Sequence, residues 1–148
     1  MTRFTRQIDV PTPLDDAFAY VADFSTTAEW DPGIVEARRL DDGPLGVGSR
    51  FEVVSRFGER RLPITYTITA FDPPSRIVLE GIGARFRGTD DIRFAPAPDG
   101  GTRIQYIADL ELRGIARVAE PLMRGRFEKV VDDGSSGLAT TLRGRAAT

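Results

Sequence analysis

The sequence contains no histidine and no cysteine. Without histidine, a Ser-His-Asp or Cys-His nucleophile system cannot be built. Without either residue, zinc sites of the usual kind are excluded as well. Disulfides and thiol chemistry are absent, which fits a cytoplasmic protein. Any catalysis must rest on Asp, Glu, Tyr, Arg, the sole lysine Lys129, backbone groups or a cofactor. The stretch Gly43 to Gly48 (GPLGVG) lacks the Lys and Ser/Thr of a phosphate-binding loop and does not follow the G-x-G-x-x-G spacing. An EF-hand pattern is also missing, so neither metal nor cofactor is expected. No apolar run is long enough to span a membrane, and the opening MTRFTRQIDV lacks a signal peptide's apolar segment, so no stable membrane insertion is expected. The net charge of −2 provides no broad basic field, so no nucleic-acid partner is expected. The oligomeric state is left open.

What is present suits one compact domain spanning 1–148. Its closing stretch, Glu120 to Leu142, carries apolar residues at helical steps: Met123, Phe127, Val130, Val131, Leu138 and Leu142, with Gly134 and Thr141 in the same row. Pro121 suits a first helical turn, and Arg143 and Arg145 suit the negative end of the helix dipole. This reads as one long amphipathic helix. Gly125, Gly134 and Gly137 weaken it, at roughly 1 kcal/mol each relative to alanine. Two readings stand: the glycines admit a close neighbour or a kink, or their missing side chains leave room for a ligand, with Gly134 the better candidate.

Before that helix the chain reads mainly as strands. Arg3 to Val10 alternates, with Phe4, Ile8 and Val10 on one face. Thr12 is placed to cap a short helix that Pro13 begins, with Asp15 and Asp16 in its first turn and Leu14, Ala17, Phe18 and Val21 as its stripe. A second short helix is expected over Phe24 to Glu29. Six strands follow, over Ile34 to Leu40, Ser49 to Phe57, Leu62 to Phe71, Arg76 to Ile82, Gly88 to Phe94 and Thr102 to Leu112. The turn residues between them suggest an antiparallel meander.

Alternation selects the covered face. Phe51, Val53, Ser55 and Phe57 share it in one strand, and Ile64, Tyr66 and Ile68 in the next. Asp90, Ile92 and Phe94 share it further on, and Ile104, Tyr106, Ala108, Leu110 and Leu112 in the last strand. In Arg76 to Ile82 either Ile77, Leu79 and Gly81 or Val78, Glu80 and Ile82 face inward. A curved sheet under one helix encloses more volume than a single stripe readily fills, so either bulky residues pack it or a cavity remains.

The order of strand, two short helices, six strands and a long helix resembles the START/Bet v 1-like (SRPBCC) superfamily with its helix-grip fold, and more narrowly the bacterial polyketide cyclase/dehydrase-like branch. The resembling residues are IDVPTPLDDAFAYVADFSTTAEWDPGIVEARRL, GPLGVGSRFEV, FDPPSRIVLEG, GGTRIQYIADLELRG and EKVVDDG, covering almost the whole chain. The resemblance implies an α+β fold, a seven-stranded antiparallel sheet curved around the C-terminal helix, and a deep apolar cavity between them. It also implies a small hydrophobic ligand of lipid or polyketide type. It supplies no shared catalytic residues, and Trp30 in the W-D-P-G stretch becomes a candidate for the cavity rim.

The candidate ligand-binding set is therefore Trp30, Phe51, Val53, Tyr66, Ile68, Asp90, Ile92, Tyr106, Phe127, Val130 and Gly134. Within it, Tyr66, Tyr106 and Asp90 are the candidates for moving protons. A phenol facing a cavity can orient a carbonyl or act as an acid, or it can simply be an amphipathic core residue. An inward Asp90 would be desolvated, which raises its pKa; the alternative is a wet carboxylate paired with Arg85 or Arg87. Arg113 to Arg126, with Ile115, Val118, Leu122 and Met123, reads either as the lead-in to the helix or as a stretch that touches a membrane surface during ligand exchange. Three functions follow: carriage of a hydrophobic ligand, cyclisation or dehydration of a polyketide-like substrate, and a regulatory or structural module with a filled core. Two polar side chains converging on one point would favour the enzyme.

Overall fold

The structure is a computed structural model, and it describes residues 1–146. Seven strands form one antiparallel sheet: β1 (Thr2–Val10), β2 (Ile34–Arg39), β3 (Arg50–Phe57), β4 (Arg60–Asp72), β5 (Arg76–Ile82), β6 (Phe86–Pro96) and β7 (Thr102–Leu112). Their order across the sheet is β1-β7-β6-β5-β4-β3-β2. Strands β2 to β7 are thus the expected meander, and β1 joins it from the far side by pairing with β7. Register irregularities between Ile34 and Glu36 in β2, and between Ile68 and Ala70 in β4, add the local bend that curvature requires. In the two-residue turn between β3 and β4, Gly58 has φ +65°, a conformation that favours glycine.

Two short helices follow β1, as expected. Helix α1 (Leu14–Ala22) buries Ala17, Phe18, Val21 and Ala22, and Phe18 meets Phe71 and Phe94 edge-on at 5.5 and 5.2 Å. Thr12 does not cap it. Its side chain instead approaches the Leu142 carbonyl at 3.5 Å, while its own carbonyl accepts a 2.7 Å bond from the buried Thr102 hydroxyl. The second segment is a 3₁₀ turn, Phe24–Thr26, running into α2 (Thr27–Trp30). Asp23 begins it by accepting from the Ser25 amide at 3.1 Å and the Ser25 hydroxyl at 2.6 Å.

A 3₁₀ segment, Gly114–Ala119, leads into α3 (Glu120–Ala146), which packs on β1 and β7. Both ends of α3 are tied down. The Glu120 carboxylate accepts from the Leu112 amide at 2.8 Å and meets the N-terminal ammonium at 2.8 Å. Arg143 donates to the Asp9 carbonyl at 2.9 Å. Between them, Arg6 of β1 pairs with Glu128 and Asp132.

The buried stripe of α3 is Phe127, Val131, Gly134, Leu138 and Leu142. Val130 is not part of it, being 42% exposed. At 3.6 residues per turn it lies about 60° from Phe127, on the opposite side from Val131, and falls at the margin where the helix faces away from the sheet. The glycines have a structural reason. A Cβ on Gly137 would stand 1.9 Å from the Trp30 carbonyl oxygen, and one on Gly134 would stand 3.3 Å from Asp31 Oδ2. Missing side chains here admit the turn after α2.

The core has two centres. The larger, around Phe51, Ile68, Ile92, Ile104, Leu138 and Leu142, lies under α1, α2 and the C-terminal half of α3. The smaller joins Phe4, Ala108, Leu110, Phe127 and Val131. Tyr106 packs against both.

Candidate functional site

Asp90 points inward, as strand alternation requires, and is 6% exposed. Its neighbour Asp91 faces the other way and is bound by Arg76 at 2.9 Å and Arg93 at 3.1 Å. One residue step along β6 therefore separates an ordinary surface ion pair from a buried carboxylate. Asp90 is not paired with an arginine. Its Oδ2 accepts a 2.8 Å hydrogen bond from the Tyr106 hydroxyl, and among the described residues no buried side-chain polar atom lacks a partner.

Desolvation is the largest influence on Asp90 and pushes its pKa up to about 7; the Tyr106 bond opposes this, and Asp31 and Asp109 add to it. Burial also drives the Tyr66 and Tyr106 phenols well above their ordinary value, with Asp90 next in importance. Both phenols are thus donors at neutral pH. The Asp90 carboxyl is divided between acid and base forms there, which suits a group that must both take and return a proton.

Around Asp90 the sheet is short of side-chain volume. The register runs Tyr66, Gly81, Gly88, Leu110 across four strands, and Leu79, Asp90, Ala108, Phe4 in the adjacent row. Gly81, Gly88 and Ala108 form a shallow floor beside the carboxylate. Aromatic rings occupy the space above it. A Cβ on Gly81 would meet the Tyr66 ring at 2.6 Å, and one on Gly88 would meet the Phe86 ring at 2.8 Å. Tyr66 in turn stacks at a tilt on Phe24, centroids 5.0 Å apart.

The remaining candidates divide. Phe51, Val53, Ile68 and Ile92 are fully buried on the inner face in the larger core, with Ile77, Leu79 and Gly81 settling the inward side of β5. Phe127 lies in the smaller core, and Gly134 faces Asp31 and Trp30. Trp30, the candidate for the cavity rim, is 4% exposed. Its ring meets Phe24 and Tyr106 edge-on at 6.4 and 6.5 Å, and its indole N–H donates to the Thr26 hydroxyl at 3.3 Å. An aromatic at the end of a one-turn helix packs that helix down, and only its outer edge remains accessible.

The side chains just named pack together on the inner face, where resemblance implies a deep apolar cavity. Two hollows, each of about 400 Å³, lie at the surface. One sits between α1, Phe71 near the end of β4, and the loops carrying Leu45, Pro73 and Pro74. The other runs between α2 and α3 along Glu29, Trp30, Asp31, Asp133, Gly137 and Thr140.

Asp31, in the wall of that second hollow, was not singled out from the sequence. Its Oδ1 accepts from the Gly33 amide at 2.9 Å, and burial raises its pKa to about 6. It acts electrostatically on Asp90, Tyr66 and Tyr106. In sequence it is an aspartate before Pro-Gly, which reads as turn chemistry. Only the spacing of Gly134 and Gly137 hinted that something must fit against α3.

Sheet, grip and inward polar group together define a START-like helix-grip protein. Solved structures share the fold. A protein from Thermus thermophilus superposes with a TM-score of 0.79 at 16% identity, covering 99% of both chains. The Zhui aromatase/cyclase from Streptomyces sp. R1128 gives 0.78 at 16%, covering 99% of this chain and 93% of that one. A START superfamily protein from Mycobacterium smegmatis gives 0.72 at 17%, covering 97% and 95%. No curated protein matches the sequence. The family model described as "Polyketide cyclase / dehydrase and lipid transport" matches residues 1–143, and the chain belongs to that family.

Proposed function

We propose that this protein binds a small hydrophobic molecule carrying a carbonyl or hydroxyl group, on the inner face of the sheet above Gly81, Gly88 and Ala108. The observation that carries the reading is a buried carboxylate, hydrogen-bonded by a tyrosine, beside a floor of glycine and alanine whose two glycines lie under the Tyr66 and Phe86 rings. Rings are easier to displace than backbone. If the Tyr66 and Phe86 rings swing away, a flat ligand can take their place, with apolar contact contributing about 25 cal/mol per Å² before ordering costs. Asp90 and Tyr106 then receive its polar group.

A second reading, cyclisation or dehydration, is favoured by the convergence of Asp90 and Tyr106 on one point. For a β-hydroxy ketone, ionised Asp90 removes the proton α to the carbonyl while a tyrosine hydroxyl donates to the carbonyl oxygen. The carbon–carbon double bond forms as the hydroxyl departs, and that proton returns to the leaving oxygen as water. Each proton removed is delivered, and no oxidant is needed. The aromatase/cyclase among the similar structures fits this class of chemistry, although the likeness itself extends only to the fold.

Native mass spectrometry of protein purified from its own host tests the binding. A co-purifying small molecule is expected with the unaltered protein and lost in Ala108→Leu, which fills the floor. Absence of any adduct, or one that persists in a folded Ala108→Leu protein, overturns the reading. For the enzyme, Asp90→Asn retains the adduct and loses turnover; undiminished turnover removes Asp90 from the chemistry.

A further inference from the structure

At one end of the molecule three large apolar side chains have no covering. Ile115 is 92% exposed, Val118 83% and Leu122 86%. They recur at steps of three and four through the 3₁₀ segment and the first turn of α3, so they form one stripe. Side chains so fully exposed stand proud of the surface and line no groove. Water contact on all three is unfavourable, and folding does not require it, because the buried stripe of α3 uses other residues.

The surroundings are basic. Arg113 and Arg117 lie in the same stretch and are exposed, whereas Arg124 lies about 200° around α3 from Leu122 and rests 5.4 Å over the Phe4 ring. The turn between β5 and β6 adjoins it, with the Arg113 amide donating to the Arg85 carbonyl at 2.9 Å and the Arg113 guanidinium to the Gly83 carbonyl at 2.9 Å. That brings exposed Arg85 to the same end. The nearby carboxylates are largely engaged: Glu120 by the N-terminal ammonium and the Leu112 amide, and Glu80 by Arg87 at 3.5 Å. Glu111 stands in register with Arg87. The overall charge is −2, so this concentration of arginines is local.

We propose that this end of the molecule docks on an anionic lipid surface, with Ile115, Val118 and Leu122 entering the interface and Arg85, Arg113 and Arg117 meeting the headgroups. An apolar stripe flanked by cations is the combination that interfacial binding uses. A second copy of this chain is a poorer occupant, because a two-fold contact would bring the same arginine-rich patch of both copies together. The inference stands apart from the proposed ligand site, since docking needs no bound molecule.

The test is flotation of the full chain, without added ligand, on phosphatidylcholine vesicles with and without phosphatidylglycerol. Binding is expected only with phosphatidylglycerol and should weaken as salt is raised. Ile115→Asn with Leu122→Asn should lower partitioning on the order of a hundredfold. Arg85→Gln with Arg117→Gln should lower it about twenty-fivefold, roughly fivefold for each charge. All four positions are exposed, so unchanged urea midpoints confirm that the variants are folded. The proposal is overturned if the chain ignores anionic vesicles or binds neutral ones equally. It is also overturned if the Ile115/Leu122 variant partitions normally, or if that variant instead dissolves a dimer seen by light scattering.

Discussion

Replacing Asp90 by asparagine should invert its effect on stability between acid and alkaline pH. In the unfolded chain this carboxyl titrates near 3.8; in the folded protein burial holds it to about 7. Between those values the folded state binds the extra proton, so stability falls as pH rises through that interval and levels off above it. A separation of about three units corresponds to about 4 kcal/mol at 1.36 kcal/mol per unit. Asp31, Asp109 and the two phenols act electrostatically on or with the same carboxyl, and Asp31 has its own rise to about 6 with a slope of the same sign. The assay must therefore be differential. Urea unfolding, followed by Trp30 fluorescence, is measured for both proteins from pH 4 to pH 8. Asparagine keeps the shape and cannot ionise. At pH 4 the two proteins should differ by about 1 kcal/mol, the scale of one buried hydrogen bond. By pH 8 the variant should be the more stable by about 3 kcal/mol. A difference that stays flat with pH would refute the burial argument and show that Asp90 is solvated as an ordinary carboxylate.

Three further outcomes follow from the same contacts. Gly137→Ala would drive a methyl into the Trp30 carbonyl, 1.9 Å away, and should cost at least about 3 kcal/mol or prevent folding; a midpoint near that of the parent would mean that α3 does not approach the turn so closely. Asp31→Asn should remove a part of the pH slope lying between about 4 and 6, readable in the same urea series as a variant more stable than the parent above pH 6. Leu138→Ala, at a fully buried position between α3 and the sheet, should cost about 2–5 kcal/mol in the same assay, whereas Val130→Ala should change it by less than about 1 kcal/mol. Equal effects would mean that the helix is rotated about its axis.

Strand alternation made most of this fold readable. Wherever a strand has one buried face, side chains two apart declare it, as at Phe51 and Val53 or Ile92 and Phe94. The same rule placed Asp90 inward and Asp91 outward. It failed on β5, because Val78 and Ile82 are as apolar as Ile77 and Leu79; packing against Ile68 and Ile92 decides the matter, and sequence does not record it. On α3 the apolar residues were visible but their phase was not, since Val130 and Val131 are chemically alike and only the position of β1 and β7 separates them. Trp30 was legible as important but its packing against α3 was not, because nothing local says that α3 crosses beside it. Asp31 was illegible for the same reason. Its character comes from Gly134, about a hundred residues away, and single-sequence patterns carry no such pairings.

The placement of β1 beside β7 has a consequence during translation. Residues 2–10 leave the ribosome well before their hydrogen-bonding partners, residues 102–110, which emerge roughly ninety residues later. Through that interval the first strand is an open edge with a hydrophobic face. Its cover, helix α3, follows later still. Until then the β2–β7 meander stands without its cover, and aggregation competes with completion of the fold. The cell's chaperones, more than any later denaturing stress, should set how much of this protein accumulates.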